Sequence, residues 1–440
     1  MTTLRRGMSA FRHRNYRLFF GGQAISLVGT WMQQVAQAWL VLQLTHDPLW
    51  LGVVAAAQFL PVLIFGLFAG VLADNLPKRQ TLQVTQVIKM CLSITLAIVS
   101  FSGFASIPFL ILLALVIGTV NAVDMPVRQS FAVEMVGRED IGNAVALNSA
   151  MFNMARIIGP AVAGLVIAAV GVTAAFVVDA ISFLAVIAAL AAMRESELHP
   201  AARIARPESF AGVMVQLREG LHYVRMTPVV LLGILVVGLV STVGMNFSVI
   251  MPPYAEEVLD SGAAGYGFLM AASGVGSLLA ALWLAFGGSA RVRRIAFGAI
   301  ILGLGEIALG ASSTYAISLL LMVAVGFGAI MMSATANTTM QLAVPDGLRG
   351  RVMSVYTTIF AGSTPVGGPL MGGFASAFGV AVSLAIGGVV ATIVGLGAFV
   401  WIRRSGLDRI TLRPSSVAVP VVAAPSPVAA SARVGDAVRR

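Results

Sequence analysis

The sequence predicts an all-α membrane protein, with twelve transmembrane helices in two pseudo-symmetric halves of six. Three observations predict it. The 440 residues are 58% hydrophobic and only 10% charged, with a mean hydropathy of +0.93, whereas soluble domains are about 45–50% apolar and roughly a quarter charged. Twelve apolar runs have the length of about 20 residues that a bilayer-crossing helix needs. The basic residues fall in alternate loops between those runs. Together these exclude a soluble globular chain.

The runs lie near 18–44, 49–73, 80–101, 106–125, 143–170, 173–193, 228–251, 264–287, 295–311, 315–336, 352–377 and 380–402. The first is too long for a signal peptide and eleven more follow, so it is expected to be retained. With the N-terminus inside, 26 of the 28 basic residues sit on the cytoplasmic side and none in the opposite loops, which carry Asp47, Glu256, Glu257 and Asp260 instead. This is the positive-inside pattern. It places both termini in the cytoplasm of a bacterial inner membrane and turns the net charge of +10 into a topology signal, excluding a nucleic-acid partner. The lone cysteine, Cys91, excludes an intrachain disulfide and a cysteine-cluster metal site. No cofactor motif and no metal site is found.

The expected organisation is a cytoplasmic arm at 1–17, a six-helix half at 18–193, a linker at 194–227, a second half at 228–402 and a disordered cytoplasmic tail at 403–440. In the linker, Phe210, Val213, Met214, Leu217, Leu221 and Val224 share one helical face. Such a helix either lies along the membrane surface or packs on the cytoplasmic ends of the bundle. The halves read as weak repeats: a shift of 209 places Gly159-Pro160 on Gly368-Pro369 and Gly164 on Gly373, and a shift of 215 places Lys78-Arg79 on Arg293-Arg294. Parallel six-span repeats are a transporter plan with the solute site between the halves.

The strongest local signal is the stretch from Gly70 through Asp74 to Lys78 and Arg79, at the inner end of span 2. A carboxylate there can accept from exposed amides at a neighbouring helix N-terminus. This segment resembles the loop signature of the major facilitator superfamily, with Asn75 and Pro77 at positions where the family has a basic residue and a glycine. The stretches from Phe11 to Phe19, Gly29 to Val35 and Asp124 to Gln129 look like the branch of enterobactin exporters and macrolide-efflux proteins. The resemblance implies the major facilitator fold and a cytoplasmic gating latch made of Gly70, Asp74, Lys78, Arg79, Asp124 and Arg128. In that latch Asp74 faces the start of helix 11 and Lys78 pairs with Asp124. Ser289 stands where the second half would repeat Asp74. Gly159, Pro160 and Gly164 resemble the kink motif of proton-coupled drug exporters, echoed by Gly368, Pro369 and Gly373; generic glycine packing is the plainer reading.

Ionisable groups in spans mark functional candidates. Asp124, Asp179 and Glu306 are the candidates for proton coupling. The resemblance makes helices 3, 6 and 9 peripheral, which weighs towards structural roles for Lys89, Asp179 and Glu306. Arg156, one turn before Pro160, needs either a carboxylate in the bundle or an anionic group on the solute. Gln33, Gln37, Gln58, Asn121, Asn148 and Asn246 complete a candidate cavity lining, since amides in lipid must find partners or water. The alternative for these amides is hydrogen bonding between helices.

The expected function is secondary active export of a hydrophobic or amphipathic small molecule, drug-like or siderophore-like, by alternating access with proton antiport. The partners are the solute, protons and membrane lipid, and the expected state is a monomer. No phosphate-binding loop or nucleophile elbow supports an ATP-driven pump or an enzyme. Two alternatives stay open: a lipid-moving transporter of the same fold, and a non-transporting membrane sensor or assembly protein.

Overall fold

Polar punctuation sets the helix ends. The computed structural model describes residues 8–199, 210–286 and 291–407, with the side chains of 67–75 and 210–217 outside that description. Helix α1 (Arg14–Thr45) stops where His46 takes left-handed backbone, and α2 (Pro48–Asn75) starts on an Asp47 cap that accepts from the Leu49 amide at 2.9 Å, with Pro48 in the first turn. Helix α3 (Lys78–Ser102) follows Pro77 and ends at Gly103. The helical run Ile107–Val170 is really two helices: at Gly137 the backbone has φ 72° and ψ −179°, a conformation that a side chain would strain. That turn separates α4 (107–136) from α5 (138–170). Gly171 joins α5 to α6 (Val172–Ala191), and Gly379 joins the helices Asp346–Phe378 and Val380–Arg404 in the same way, both at φ 89°. The two halves thus reuse one turn.

After the linker helix (Phe210–Met226) comes α7, which runs Pro228–Gly244, breaks, and resumes as Phe247–Pro253 with a wider closing turn at Tyr254–Val258. Then follow α8 (Gly262–Phe286), α9 (Arg293–Gly310), α10 (Tyr315–Ala343), α11 (Asp346–Phe378) and α12 (Val380–Arg404). Each of the twelve expected spans coincides with one of these helices. Several run further at the end bearing the basic loops: α10 continues to Ala343 and α11 begins at Asp346. Their polar last turns are still helical outside an apolar slab.

By length and composition alone, eight described stretches qualify as spans, the Ile107–Val170 run counting as one, and α1, α9 and α11 do not. Glutamine lowers the hydropathy of α1; glycine and serine lower that of α11. These helices are seated by neighbours: α1 on α5 and α6, α9 on α10 and α12, α11 on α2 and α7. In lipid no hydrophobic drive holds helices together, so close packing of small residues carries the association.

The break in α7 was not expected from the sequence. In an intact helix the Thr242 carbonyl would accept from the backbone amide of residue 246. Here the Asn246 side chain donates to it instead, Nδ2 to O at 2.7 Å, and the Asn246 carbonyl starts the next segment by accepting from Val249 and Ile250. One side chain therefore replaces the missing rung.

The linker helix rests on α11. Glu219 pairs with Arg351 at 2.5 Å, Gly220 lies against the Arg351 backbone, and Val224 is buried. Tyr223 donates to the Ala343 carbonyl at 3.4 Å. Of the two placements open from sequence, these described residues take the one on the bundle ends. The apolar-face residues Phe210, Val213, Met214 and Leu217 have side chains outside the described set, as the whole of 408–440 and Ser289 lie outside it.

Candidate solute pocket and charge network

In the first half, five helices meet around a pocket. Thr30, Gln33 and Gln34 come from α1, Gln58 from α2, Lys89 and Ser93 from α3, Ile117 and Asn121 from α4, and Asp179 and Phe183 from α6. Gln33 and Gln37 are one turn apart and bonded, Nε2 to Oε1 at 2.6 Å. Gln37 Nε2 is left buried without a partner. Four of the amides expected to line a cavity, Gln33, Gln37, Gln58 and Asn121, thus belong to one neighbourhood, and Gln34 joins them.

Sequence reasoning set Lys89 and Asp179 apart as peripheral. The structure brings both to the wall of the amide pocket. The signal was present as a polar stripe: Thr85, Gln86, Lys89 and Ser93 recur at helical spacing along α3. Ser93 donates to Asp179 at 2.5 Å, and the other carboxylate oxygen of Asp179 is buried without a partner. Gly29 gives α1 the room to pass; a methyl group there would run into Ser182 and come within 2.8 Å of the Asp179 carboxylate.

Behind this lies Asp124, 1% exposed. Its carboxylate accepts from Thr85 and Gln86 at 2.7 Å each, pairs with Lys89 at 3.1 Å and with Arg128 one turn along α4. A buried carboxylate is tolerated only when paired and hydrogen-bonded, and this one is both. The expected latch pair between Lys78 and Asp124 is not made here. Lys78 pairs with Glu134, a residue absent from the sequence-based reading. Glu134 lies nearly three turns closer than Asp124 to the basic end of α4, where Lys78 opens α3, and Asp124 already has two cations. Arg79 donates to the carbonyls of Leu190 and Ala191 and pairs with Glu195. The side chain of Asp74, and all of Gly70 but its helical backbone, lie outside the described set.

The remaining expected residues scatter. Asn148 has its amide oxygen taken by the Tyr16 hydroxyl at 3.0 Å, near the basic end. Asn246 sits in the break of α7 and faces a different, smaller pocket with Glu306. Arg156 is half-buried in α5, and its guanidinium makes no hydrogen bond or ion pair with a described residue. No carboxylate in the bundle meets it, so of its two expected partners the internal one is missing among the described residues. Trp31 and Phe152 meet edge-on nearby, centroids 5.7 Å apart.

The halves meet along two seams, α2 on α11 and α5 on α8. The contacts are glycine against backbone. Gly52 lies on the Gly368-Pro369 peptide, Gly372 on the Pro48 carbonyl, and Gly164 on Gly267, which also touches the Pro160 carbonyl. The six motif residues therefore divide: Pro160, Gly164, Gly368 and Pro369 are on the seams, Gly159 packs on Trp31 of α1, and Gly373 meets only the tip of Leu49. All these approaches lie in the part of the bundle away from the basic loops, where Trp39 also stacks on Tyr266 at 6.2 Å. Among the described residues, no ion pair joins one six-helix half to the other; Arg79 and Arg351 each pair with an acid of the linker, Glu195 and Glu219.

A family model described as transmembrane secretion effector matches residues 6–425. The chain belongs to this family. It is thus a major facilitator transporter and not an enzyme, as the sequence implied. It is 24% identical to the staphyloferrin A transporter of Staphylococcus aureus, over 88% of this chain and 96% of that protein. It is 31% identical to the multidrug efflux pump Tap of Mycolicibacterium fortuitum, over 78% and 85%, and 22% identical to macrolide efflux protein A of Streptococcus pyogenes, over 84% and 92%. Among solved structures, the fold matches the nucleoside transporter NupG with a TM-score of 0.71 at 11% identity, over 88% of this chain and 98% of that one. A bacterial homologue of the lysosomal transporter Spinster, in an inward-facing form, matches at 0.69 and 13% identity over 91% and 99%.

Proposed function

We propose that this transporter exports an amphipathic small molecule bearing an anionic group from the bacterial cytoplasm, in exchange for protons. The observation that carries the reading is the shared wall of the first-half pocket: the amides suited to a solute and the Lys89–Asp179 pair of titratable groups line the same space. Export is supported by the efflux activity for which two relatives are named, the Tap pump and macrolide efflux protein A. The anionic group answers Arg156, which has no described partner. The basic loops face the cytoplasm by the positive-inside rule. On this reading the glycine seams lie at the end away from the cytoplasm.

Coupling runs through Lys89. Lys89 is held by Asp124 at 3.1 Å, the arrangement that this reading assigns to a protonated Asp179. When Asp179 loses its proton, its charge competes for the same ammonium and pulls α3 and α6 together at the pocket wall. A proton can bias the two access states only through such a difference in affinity. The test uses the full chain in proteoliposomes under an imposed pH gradient. Asp179→Asn is expected to lose gradient-driven solute movement by at least about tenfold, roughly 1.4 kcal/mol in the driving step, while retaining solute exchange without a gradient. Gradient-driven movement at wild-type rate in Asp179→Asn would remove the carboxylate from the mechanism. The solute itself is found by comparing extracellular metabolites of deletion and overexpressing strains, with a collapsed pH gradient as control.

A further inference from the structure

The second half holds a buried acid that the solute pocket does not use. Glu306, on α9, is 3% exposed and has no cation beside it. It lines a small cavity with Val243, Asn246, Phe247, Met371 and Ser383, contributed by α7, α11 and α12. Two buried oxygens in this cavity have no hydrogen-bond partner: Glu306 Oε2 and Asn246 Oδ1. Ser383, fully buried, donates its hydroxyl proton to the Met371 carbonyl at 2.9 Å and so keeps its lone pairs free. The rest of the lining is mostly apolar, and there is room for about one water-sized particle.

A lone carboxylate in this setting is not sustainable as an anion, because burying an unpaired charge carries a penalty of several kcal/mol. Three oxygens around a water-sized space, beside an interrupted helix, match how membrane transporters hold small monocations. The size excludes a solute. We propose that Glu306, Asn246 and Ser383 form a binding site for a monovalent cation, a proton or a sodium ion, at the break in α7 and separate from the solute pocket. As a proton, the ligand turns Glu306 into a donor for the unpaired Asn246 oxygen. As sodium, it is held by both and by Ser383.

The groups around the site leave the acid to titrate on its own. On α7, the Tyr254 hydroxyl is committed to the Leu309 and Ser312 carbonyls, and Glu256 and Glu257 lie at the helix end. On α10, α11 and α12 the titratable residues Tyr315, Asp346, Arg349, Arg351, Arg403 and Arg404 sit at helix ends, and Tyr356, three turns into α11, is not part of the cavity lining. The site also has a mechanical position. Gly244 of α7 and Gly387 of α12 both back onto the Glu306 carboxylate, at 3.2 and 3.3 Å from a methyl built on each, so occupancy bears directly on the end of the first piece of α7 and on α12.

The experiment uses the full chain in lipid nanodiscs and infrared difference spectra of the carboxylic-acid carbonyl. One arm raises the pH in sodium-free buffer, and the other adds sodium chloride at fixed low pH. A band present in wild type, absent in Glu306→Gln and lost in the pH arm alone identifies a proton site. Loss in the sodium arm as well identifies competition by sodium. A Glu306 band that persists through both arms, or no Glu306-dependent band at any pH, overturns the proposal. Asn246→Ala and Ser383→Ala keep the acid and are expected to shift the titration midpoint roughly tenfold each; unmoved midpoints in both also overturn it. No transported solute enters this measurement, so it stands or falls apart from the export reading, and Asp179→Asn is expected to leave the Glu306 band in place.

Discussion

Asp179 and Glu306 are two buried acids placed alike and equipped differently. Each is packed against a glycine of the first helix in its half, Gly29 in α1 and Gly244 in α7, and a shift of 215 residues superposes those glycines. Around Asp179 the first half has assembled Ser93, Lys89 and, one step further, Asp124 with Arg128. Around Glu306 the second half offers two neutral side chains and an apolar wall. The superposed glycine backs an acid in each half, but the acid comes from α6 in the first and from α9, the counterpart of α3, in the second, and the two surroundings differ. One acid belongs to a charge network at the edge of the amide pocket; the other stands alone in a space too small for anything but a cation or a water.

The largest expected effect tests that contrast in charge. Asp124→Asn leaves Lys89 and Arg128 buried without their counter-ion, and breaking a buried pair in this way costs about 3–5 kcal/mol. Glu306→Gln replaces an acid that has no charge partner with a neutral amide and is expected to leave stability unchanged or slightly raised. Thermal unfolding of the two purified variants against wild type reads this directly. Equal losses would show that the second-half acid is paired after all, and the comparison would collapse.

A smaller effect concerns the glycines. Gly29→Ala drives a methyl into Ser182 and towards Asp179, so over-packing of about 1–3 kcal/mol is expected. Gly244→Ala meets Leu302 at 3.0 Å and the flexible end of Glu306 at 3.2 Å, and it is expected to lose less than half as much. The same unfolding measurement ranks them. A larger loss at Gly244 would mean that the second niche is the tighter one.

The smallest effect lies outside the membrane. Asp140 opens α5 and ties down the N-terminal arm: a hydrogen bond from Ser9, then one from His13 and the charge of Arg12, hold its carboxyl below the usual carboxylate range. A depressed value means that the anchor is fully present above the ordinary carboxylate pKa of about 4 and is lost as the pH falls through the lower folded value. The counterpart in α11, by the shift of 209, is Arg349, which pairs instead with its own neighbour Asp346. Amide exchange of residues 8–16 is therefore expected to speed up on acidification, and Asp140→Asn to show that fast exchange already at neutral pH. Pale or absent pH dependence in wild type would count against the anchor.

Much of the fold was legible because hydropathy and loop charge report on a slab, and a slab fixes where helices start, stop and point. Part of the seams was legible for a related reason: Pro160 and Pro369 superpose by the shift of 209 and both lie on the seams, whereas Gly159 and Gly373, the repeat mates of Gly368 and Gly164, pack on Trp31 and on the tip of Leu49. What escaped was rotation about each helix axis and the choice among partners. Lys89 and Asp179 lie on helices that the family places at the periphery, yet the turn of α3 and α6 brings both to the amide wall. Lys78 found Glu134 because of where α3 enters, which no spacing along one helix reveals. The break in α7 was hidden because the side chain that causes it, Asn246, reads in sequence as one more polar residue in an apolar run.

The seams between the halves have a consequence for how the molecule turns. Bare glycine backbone slides on bare glycine backbone there, and among the described residues no ion pair spans the joint. At the contacts named, such a joint is a dry bearing: no ion pair among the described residues must be unfastened before it moves. Inverting a resting preference of 99 to 1 takes only about 5.5 kcal/mol, within reach of a few protons moving down their gradient. A threaded residue with a side chain at Gly52 or Gly372 would seize the bearing without touching any group that binds a solute.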